Sequence, residues 1–183
     1  MKRLLIAALM SLCTLSLSAQ RWVGGSLSMI NDKNDHDKTI TFKFNPEFGY
    51  QLGERWGVGV DLSLTRSTSE IEINSTTSKY KPYAIGLSPF VRYTLAETGK
   101  LRFFGDAMLN YEYTDGEKTY VRYANTVGAG LRLGATYDLT ERLSLYSTLG
   151  HCGYDYTWSG GTHVGDFEFG LTSAVSIGLY VKF

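Results

Sequence analysis

The sequence has little cysteine and no long apolar segment after its first residues, and each of these shortages excludes a class of protein. Of its two cysteines, Cys13 lies in the apolar N-terminal stretch, so beyond that stretch Cys152 has no cysteine to pair with and no internal disulfide can form. After residue 19, no segment approaches the roughly eighteen consecutive apolar residues that a transmembrane helix needs. The sequence therefore predicts neither a disulfide-stabilised domain nor a helical membrane protein.

An excess of positive charge is also missing. The 183 residues include 18 basic and 18 acidic side chains, and Lys2 and Arg3 belong to the N-terminal stretch, which leaves 16 basic against 18 acidic residues and a net charge of −2. Binding to nucleic acid depends on basic side chains that neutralise phosphates, so we expect no nucleic-acid partner. The chain length is that of one domain.

The first 19 residues have the features of a secretory signal peptide. Lys2 and Arg3 precede an apolar run over residues 4–17, and the small residues Ser18 and Ala19 follow it. We predict cleavage after Ala19, so that residues 1–19 are a signal peptide and residues 20–183 form the mature domain. Attachment of a lipid to Cys13 is less favoured, because Leu12 stands where a small residue is needed.

The remaining sequence is dominated by alternation of apolar and polar residues. In the last segment, FEFGLTSAVSIGLYVKF, every second residue from Phe167 to Phe183 is apolar except Ser173, and the residues between are mostly small, polar or charged. This period of two is typical of a strand with one apolar face. Seven earlier segments share the pattern, and together they predict eight strands over residues 22–30, 39–50, 56–65, 80–95, 101–113, 120–137, 143–154 and 167–183. Pro89 lies inside the fourth segment, where we expect a bulge or a strained position.

The connections between these segments alternate in length. Three tight turns, centred on Gly53, Thr98 and Thr140, alternate with four longer polar loops over residues 31–38, 66–79, 114–119 and 155–165. Barrels of the bacterial outer membrane have short periplasmic turns, longer outer loops and an even number of strands. We therefore predict an all-β fold, an eight-stranded antiparallel up-and-down transmembrane β-barrel that is closed, with its apolar faces on lipid and both termini periplasmic.

Aromatic residues support the same fold, because they gather at both ends of the predicted strands. Interfacial belts of aromatic rings are typical of membrane proteins. The group near the short turns comprises Trp22, Tyr50, Trp56, Tyr93, Phe103, Tyr137 and Phe183, and the group near the long loops comprises Tyr80, Tyr83, Tyr111, Tyr113, Tyr123, Tyr154 and Tyr156.

The inward face of the predicted barrel carries ten charges, five of each sign. An eight-stranded barrel is just wide enough for its own side chains, and buried charges need partners, so we expect a polar lumen filled by a structural charge network with no wide pore. Across the tight turns, Arg92 is expected to approach Asp106 and Lys43 to approach Asp61. The predicted network consists of Lys43, Glu47, Asp61, Arg92, Arg102, Asp106, Glu112, Arg132, Glu168 and Lys182. The inward glycines are expected to make room in this lumen.

The sequence predicts no catalytic, cofactor-binding or metal-binding residue. His36 lies among Asp32, Asp35 and Asp37, but their spacing matches no calcium-binding loop. His151 falls on the outward side of its predicted strand, and His163 lies in the last loop. No nucleophile motif accompanies these histidines.

Several segments resemble the small outer-membrane β-barrel family of Bacteroidota, which is related in architecture to OmpX and the transmembrane domain of OmpA. They are SAQ at the end of the signal peptide, NPEFGYQLGERWGVGVDLS (45–63), LSPFVRYTL (87–95), YDLTERLSLYSTLG (137–150) and IGLYVKF (177–183). The resemblance implies a C-terminal insertion signal at Leu179, Val181 and Phe183 that the barrel-assembly machinery reads. It concerns the fold and implies no activity.

The leading functional hypothesis is a non-enzymatic integral outer-membrane barrel, monomeric and without a cofactor. It would sit in outer-membrane lipid and present four loops for envelope integrity, adhesion or binding of an unknown surface ligand. The alternative is a narrow porin-like channel. Two less favoured alternatives are a lipid A acyltransferase-like enzyme that uses His36, which the charged interior disfavours, and a secreted lipocalin-type ligand binder, in which the apolar faces would point inward.

Overall fold

The computed structural model describes residues 20–33, 37–73, 76–116 and 123–183, which form nine antiparallel strands. The predicted signal peptide and His36 lie outside these residues. The strands are β1 (Arg21–Lys33), β2 (Asp37–Gln51), β3 (Trp56–Ile73), β4 (Thr76–Tyr80), β5 (Tyr83–Thr98), β6 (Leu101–Asp115), β7 (Ala124–Asp138), β8 (Leu143–Ser159) and β9 (Thr162–Lys182). Within the described ranges, no helix is long and apolar enough to cross a membrane.

Eight of the strands close into a ring. The ring follows the order β1, β2, β3, β5, β6, β7, β8 and β9, and it closes where β9 pairs with β1. Strand β4 pairs with the end of β3 at residues 69–73, beyond the part of β3 that pairs with β5. The short β4 therefore extends the β3–β5 hairpin beyond the ring. The predicted closed, eight-stranded antiparallel barrel is confirmed.

The ring closes with a large stagger between its first and last strands. Trp22 on β1 pairs with Lys182 on β9. From Trp22 the lateral pairs can also be followed the other way round the ring, through Gly49, Gly59, Phe90, Met108, Gly130 and Gly153, and they then reach Glu168 on β9. The two β9 positions, Lys182 and Glu168, are 14 residues apart (182 − 168), a stagger that includes the extra residues of bulges. Such a shift tilts the strands and determines the barrel's width.

The apolar face of each strand points away from the barrel axis. Leu62 and Leu131 have 41% and 58% of their surface exposed, whereas Asp61, between the apolar neighbours Val60 and Leu62, is 6% exposed. A soluble barrel would place its apolar residues inside, so the lipocalin-type alternative is excluded. The exposed apolar band is the surface that a closed barrel presents to acyl chains.

The three short turns are confirmed, but three of the four longer loops that the sequence predicts, over residues 31–38, 66–79 and 155–165, are mostly strand. The short turns lie at residues 52–55, 99–100 and 139–142, with Gly99 in the left-handed region at φ +59°. At the other end β3 continues to Ile73, and β8 and β9 meet at the tight turn Gly160–Gly161. On β3 the outward apolar positions end at Leu64, whereas on β8 the alternation continues to Tyr156 and Trp158, on the opposite parity to Leu143 and Leu145.

The bulge predicted at Pro89 is wrong. The register between β5 and β6 is the same on both sides of it, at Leu87–Tyr111 and at Phe90–Met108, and the register shift lies nearer the turn, between Thr94 and Ala96. Pro89 removes one donor from the ladder without adding a residue, so the strand continues past it.

A bulge that the sequence did not reveal reverses the second half of β8. Thr148 pairs with Gly134 and Gly150 pairs with Leu133, so Leu149 is the extra residue. Laterally paired residues share a face, and His151 pairs with Arg132, which points inward. The prediction that His151 faces outward is therefore wrong, because one inserted residue changes the face of every residue after it.

Candidate functional site

Five charged side chains meet at the centre of the lumen, each from a different strand. The strands that supply them, β2, β3, β5, β6 and β7, are consecutive in the ring. Inward positions on a closed sheet converge towards its axis, so strands far apart in sequence deliver their charges to one place. This central cluster consists of Glu47, Asp61, Arg92, Asp106 and Arg132.

Arg92 binds two of the carboxylates. Its Nε and Nη2 donate to Asp106 Oδ1 and Oδ2 at 2.7 and 2.9 Å, and Nη2 lies 3.1 Å from Glu47 Oε1. The side chains of Glu47 and Asp106 have no exposed surface. A bidentate pair without water is the strong form of an arginine–carboxylate contact.

Arg132 binds all three carboxylates. Its Nη1 donates to Asp61 Oδ2 at 2.8 Å, and Nη2 donates to Glu47 Oε2 at 3.1 Å and to Asp106 Oδ2 at 2.8 Å. Glu47 also accepts a bond from Trp22 Nε1 at 3.0 Å. With every group ionised, the central cluster has two positive and three negative charges, a net charge of −1. Asp61 Oδ1 is buried and has no hydrogen-bond partner among the described residues.

Four aromatic rings lie close to the Arg92 guanidinium. Its central carbon lies 3.9 Å from the ring centre of Phe104 and 4.9 Å from that of Phe90. Trp22 and Tyr180 complete the shell at 5.4 and 5.6 Å. Cations over desolvated ring faces are attracted by the ring quadrupole, so these rings fill the lumen and also stabilise the charge at its centre.

Each large aromatic ring of the lumen lies beside a glycine on the neighbouring strand. A Cβ at Gly59 or Gly134 would overlap the ring of Phe90 or Phe104, at 2.4 Å in both cases. The expectation that inward glycines make room in the lumen is therefore confirmed at these positions. The five laterally paired couples are Trp22–Gly49, Phe90–Gly59, Phe104–Gly134, Tyr146–Gly178 and Tyr180–Gly24.

At the short-turn end, a cavity of about 40 Å³ reaches in as far as Arg92. A water molecule needs about 10–15 Å³ measured in this way, so the cavity admits a few waters, and Arg92 is one of the residues that line it. Beside its mouth, Lys182 Nζ contacts Asp138 Oδ1, which also accepts a bond of 2.6 Å from Ser144 Oγ. These contacts connect the end of β7 to β8 and β9.

The other predicted lumen charges do not join the central cluster. Arg102 pairs with Glu97 near the short turns, Glu168 pairs with His151 towards the loop end, and Lys182 pairs with Asp138. Lys43 and Glu112 have no ion-pair partner among the described side chains. The predicted approach of Lys43 to Asp61 is wrong, because Lys43 lies beside Thr65 while Asp61 pairs with Glu47 and is bound by Arg132.

Trp22 is the main residue that the sequence analysis misplaced. It was assigned to the interfacial belt, but it is 6% exposed and lies inside the lumen. Its position on the same side of β1 as Ser26 was the available signal. The remaining belt at the short turns includes Trp56 and Tyr93, whose ring centres are 4.7 Å apart, and Arg55 Nη1 donates to the Tyr93 hydroxyl at 3.3 Å.

The described residues include no metal-binding cluster. No group of three His, Cys, Asp or Glu side chains in these ranges could hold a metal ion. His163 lies at the β8–β9 hairpin with its ring 5.9 Å from that of Tyr156. Leu179, Val181 and Phe183, the predicted insertion signal, lie exposed on the lipid-facing side of the last strand.

A closed barrel with an apolar exterior and a lumen filled by charged and aromatic side chains defines an integral membrane β-barrel. The chain belongs to the outer membrane protein beta-barrel domain family, whose model matches residues 4–183. The protein is therefore an outer-membrane β-barrel protein.

Two solved structures share this fold at low sequence identity. One is a major outer membrane protein from Thermus thermophilus, at 16% identity and a TM-score of 0.57, covering 91% of this chain and 100% of the other. The second is the outer membrane protein OprG from Pseudomonas aeruginosa, at 13% identity and a TM-score of 0.50, covering 90% and 94%. No protein of curated function matches the sequence significantly.

Proposed function

We propose that the protein is a non-enzymatic, non-conducting monomeric barrel that displays its long hairpins at the cell surface for envelope integrity or adhesion. The observation that carries this proposal is the blocked lumen. Arg92, Arg132 and their three carboxylate partners cross the barrel at its centre, and four rings enclose Arg92. Moving this cluster aside would break several buried charge-assisted bonds at once, which costs several kcal/mol.

Planar-bilayer conductance of the refolded barrel tests the blocked lumen. The wild-type protein is expected to give no discrete current steps. Arg92→Ala combined with Phe104→Ala removes the guanidinium and the ring closest to it, and should produce discrete steps. Arg142→Ala, in a short turn, is the matched control that removes the same charge outside the lumen. Discrete steps from the wild-type protein would favour the alternative, a narrow porin-like channel.

Display of the hairpins is supported by their length beyond the apolar band. On β3 the last outward apolar residues before the loop are Leu62 and Leu64, and the strand continues to Ile73. The β8–β9 hairpin ends at Gly160–Gly161 and carries Tyr156 and Trp158, whose ring centres are 6.3 Å apart. Long hairpins with aromatic side chains provide rigid area for contact with another surface.

The proposed topology places this end outside the cell and both termini in the periplasm, with the barrel-assembly machinery and outer-membrane lipid as the partners of insertion. It follows the usual position of short turns in such barrels and the resemblance to OmpX and to barrels of Bacteroidota. An epitope inserted between Gly160 and Gly161 should be labelled on intact cells, and one inserted at Gly99 only after permeabilisation. The reverse labelling would overturn the topology.

A further inference from the structure

Arg66 is a cation on the outward face of the barrel near its loop end. Arg66 follows Leu62 and Leu64 on the outward face of β3 and is exposed. Its lateral neighbours are Phe42 on β2 and Tyr83 on β5, both uncharged. No hydrogen bond or ion pair joins the Arg66 guanidinium to any side chain that the structure describes.

The depth of Arg66 corresponds to the boundary between acyl chains and headgroups. Ten residues (66 − 56) separate it from Trp56, which belongs to the aromatic belt at the short turns and lies on the same face of β3. At about 3.4 Å per residue and a tilt of about 40°, ten residues rise about 26 Å, which matches the roughly 25 Å apolar band of such barrels. Arg66 therefore stands where headgroup phosphates lie.

A shallow apolar groove of about 370 Å³ runs towards the bilayer from this arginine. Three adjacent strands form it, and its walls are side chains that the barrel leaves exposed. The outward residues lining it are Phe42, Phe44, Leu64, Arg66, Tyr83 and Ile85. A groove of this kind places an acyl chain against the strands while the guanidinium is directed at the headgroup.

We propose that Arg66 and this groove form a binding site for an anionic lipid of the surrounding leaflet, with its phosphate monoester on the guanidinium and one acyl chain in the groove. A planar guanidinium binds phosphate through two parallel hydrogen bonds. The nearest acid in the same lateral row, Asp115, lies on the far side of Tyr83 and accepts a hydrogen bond from the Tyr83 hydroxyl. Among the described side chains, no acid neutralises Arg66, and its positive charge is complementary to an anionic headgroup.

Native mass spectrometry of the full barrel tests this site. The protein is extracted from phosphatidylcholine vesicles that contain a minor fraction of phosphatidic acid, and the phosphatidic acid retained per barrel is counted. We expect one retained molecule in the wild type and an affinity reduced about tenfold in Arg66→Gln, the size of effect that loss of one charge-assisted pair produces. Arg142→Gln, with the same change of charge in a short turn, should match the wild type.

Two further measurements separate a lipid site from a simple phosphate site. Ile85→Trp fills the groove without changing the charge and should also release the lipid, whereas inorganic phosphate should not compete with phosphatidic acid. Heat-modifiable gel mobility shows whether each variant folds. If Arg66→Gln does not fold, lipid retention by Ile85→Trp tests the proposal instead. Equal retention by wild type and Arg66→Gln, equal loss in Arg142→Gln, or displacement by inorganic phosphate would overturn the proposal. The conductance of the barrel is independent of all these outcomes.

Discussion

Replacing Arg132 by methionine is the sharpest test of the central cluster. Arg132 donates four hydrogen bonds of 2.8 to 3.1 Å to three carboxylates, and the side chains of two of them, Glu47 and Asp106, have no exposed surface. Methionine keeps much of the volume but leaves Arg92 as the only cation against three acids. The net charge of the cluster changes from −1 to −2 in a place that water hardly reaches.

The expected loss follows from what this removal leaves behind. Removing one partner of a buried ion pair costs about 3–5 kcal/mol, because the remaining charge is left without compensation. Adding Asp61→Asn to Arg132→Met returns the cluster to a charge of −1, and Asp61 is the acid that Arg92 does not bind. The second substitution should therefore recover about 1–3 kcal/mol, the cost of one buried group left unsatisfied.

Reversible urea unfolding of the barrel in vesicles, followed by tryptophan fluorescence, gives the free energies of unfolding for the wild type, both single variants and the double variant. The four values form a double-mutant cycle. A loss below about 1 kcal/mol in Arg132→Met, the range of exposed pairs, would show that the cluster is solvated. If the losses of the two single variants simply add in the double variant, Arg132 and Asp61 act independently. That result would refute the reasoning, because the two side chains are in contact at 2.8 Å.

Three further predictions concern other parts of the barrel. Gly134→Ala should lower the free energy of unfolding by about 1–3 kcal/mol, because the new methyl group would overlap the Phe104 ring and the Ser147 carbonyl oxygen. Gly105→Ala is the control and should leave the free energy of unfolding unchanged, because its methyl group would meet only leucine side chains at 3.7 Å on the outer face. Urea unfolding compares the two variants. Lys182→Met should lower the same quantity by about 1 kcal/mol by leaving Asp138 with Ser144 alone, and Lys182→Arg should restore it. Phe183→Ser should reduce the amount of folded barrel in cells but leave refolding into detergent unchanged, and heat-modifiable gel mobility measures both. An equal loss in cells and in detergent would show that Phe183 stabilises the folded barrel and does not act as an insertion signal.

The alternation of residues determined the strands and which of their faces meets lipid. Leu62 and Leu131 were assigned outward, and Asp61 and Arg132 inward, from a period of two that geometry imposes on any strand. The approach of Arg92 to Asp106 also followed from the sequence, because a short turn relates the two residues; the sequence predicts diagonal neighbours, and in the structure they pair directly. Local patterns of this kind need no knowledge of distant strands.

Three features needed the tertiary structure. The bulge at Leu149 turns His151 to the inner side of β8, whereas uninterrupted alternation along the strand predicts that it faces outward. The outward apolar positions of β3 end at Leu64, and the sequence does not show that the strand continues to Ile73. Arg132 contacts Glu47, 85 residues away, only because curvature brings β2 and β7 across the same axis.

The amino-acid sequence alone specified a barrel wall: eight strands, their apolar side and the end at which the turns are short. Only the closed ring established that five of the ten inward charges form one cluster, that Trp22 lies inside the lumen, and that Arg66 lines an apolar groove without an ion-pair partner among the described side chains. The physical reason is that the face of a residue depends on its own strand, whereas its partners depend on the stagger and curvature with which all eight strands close.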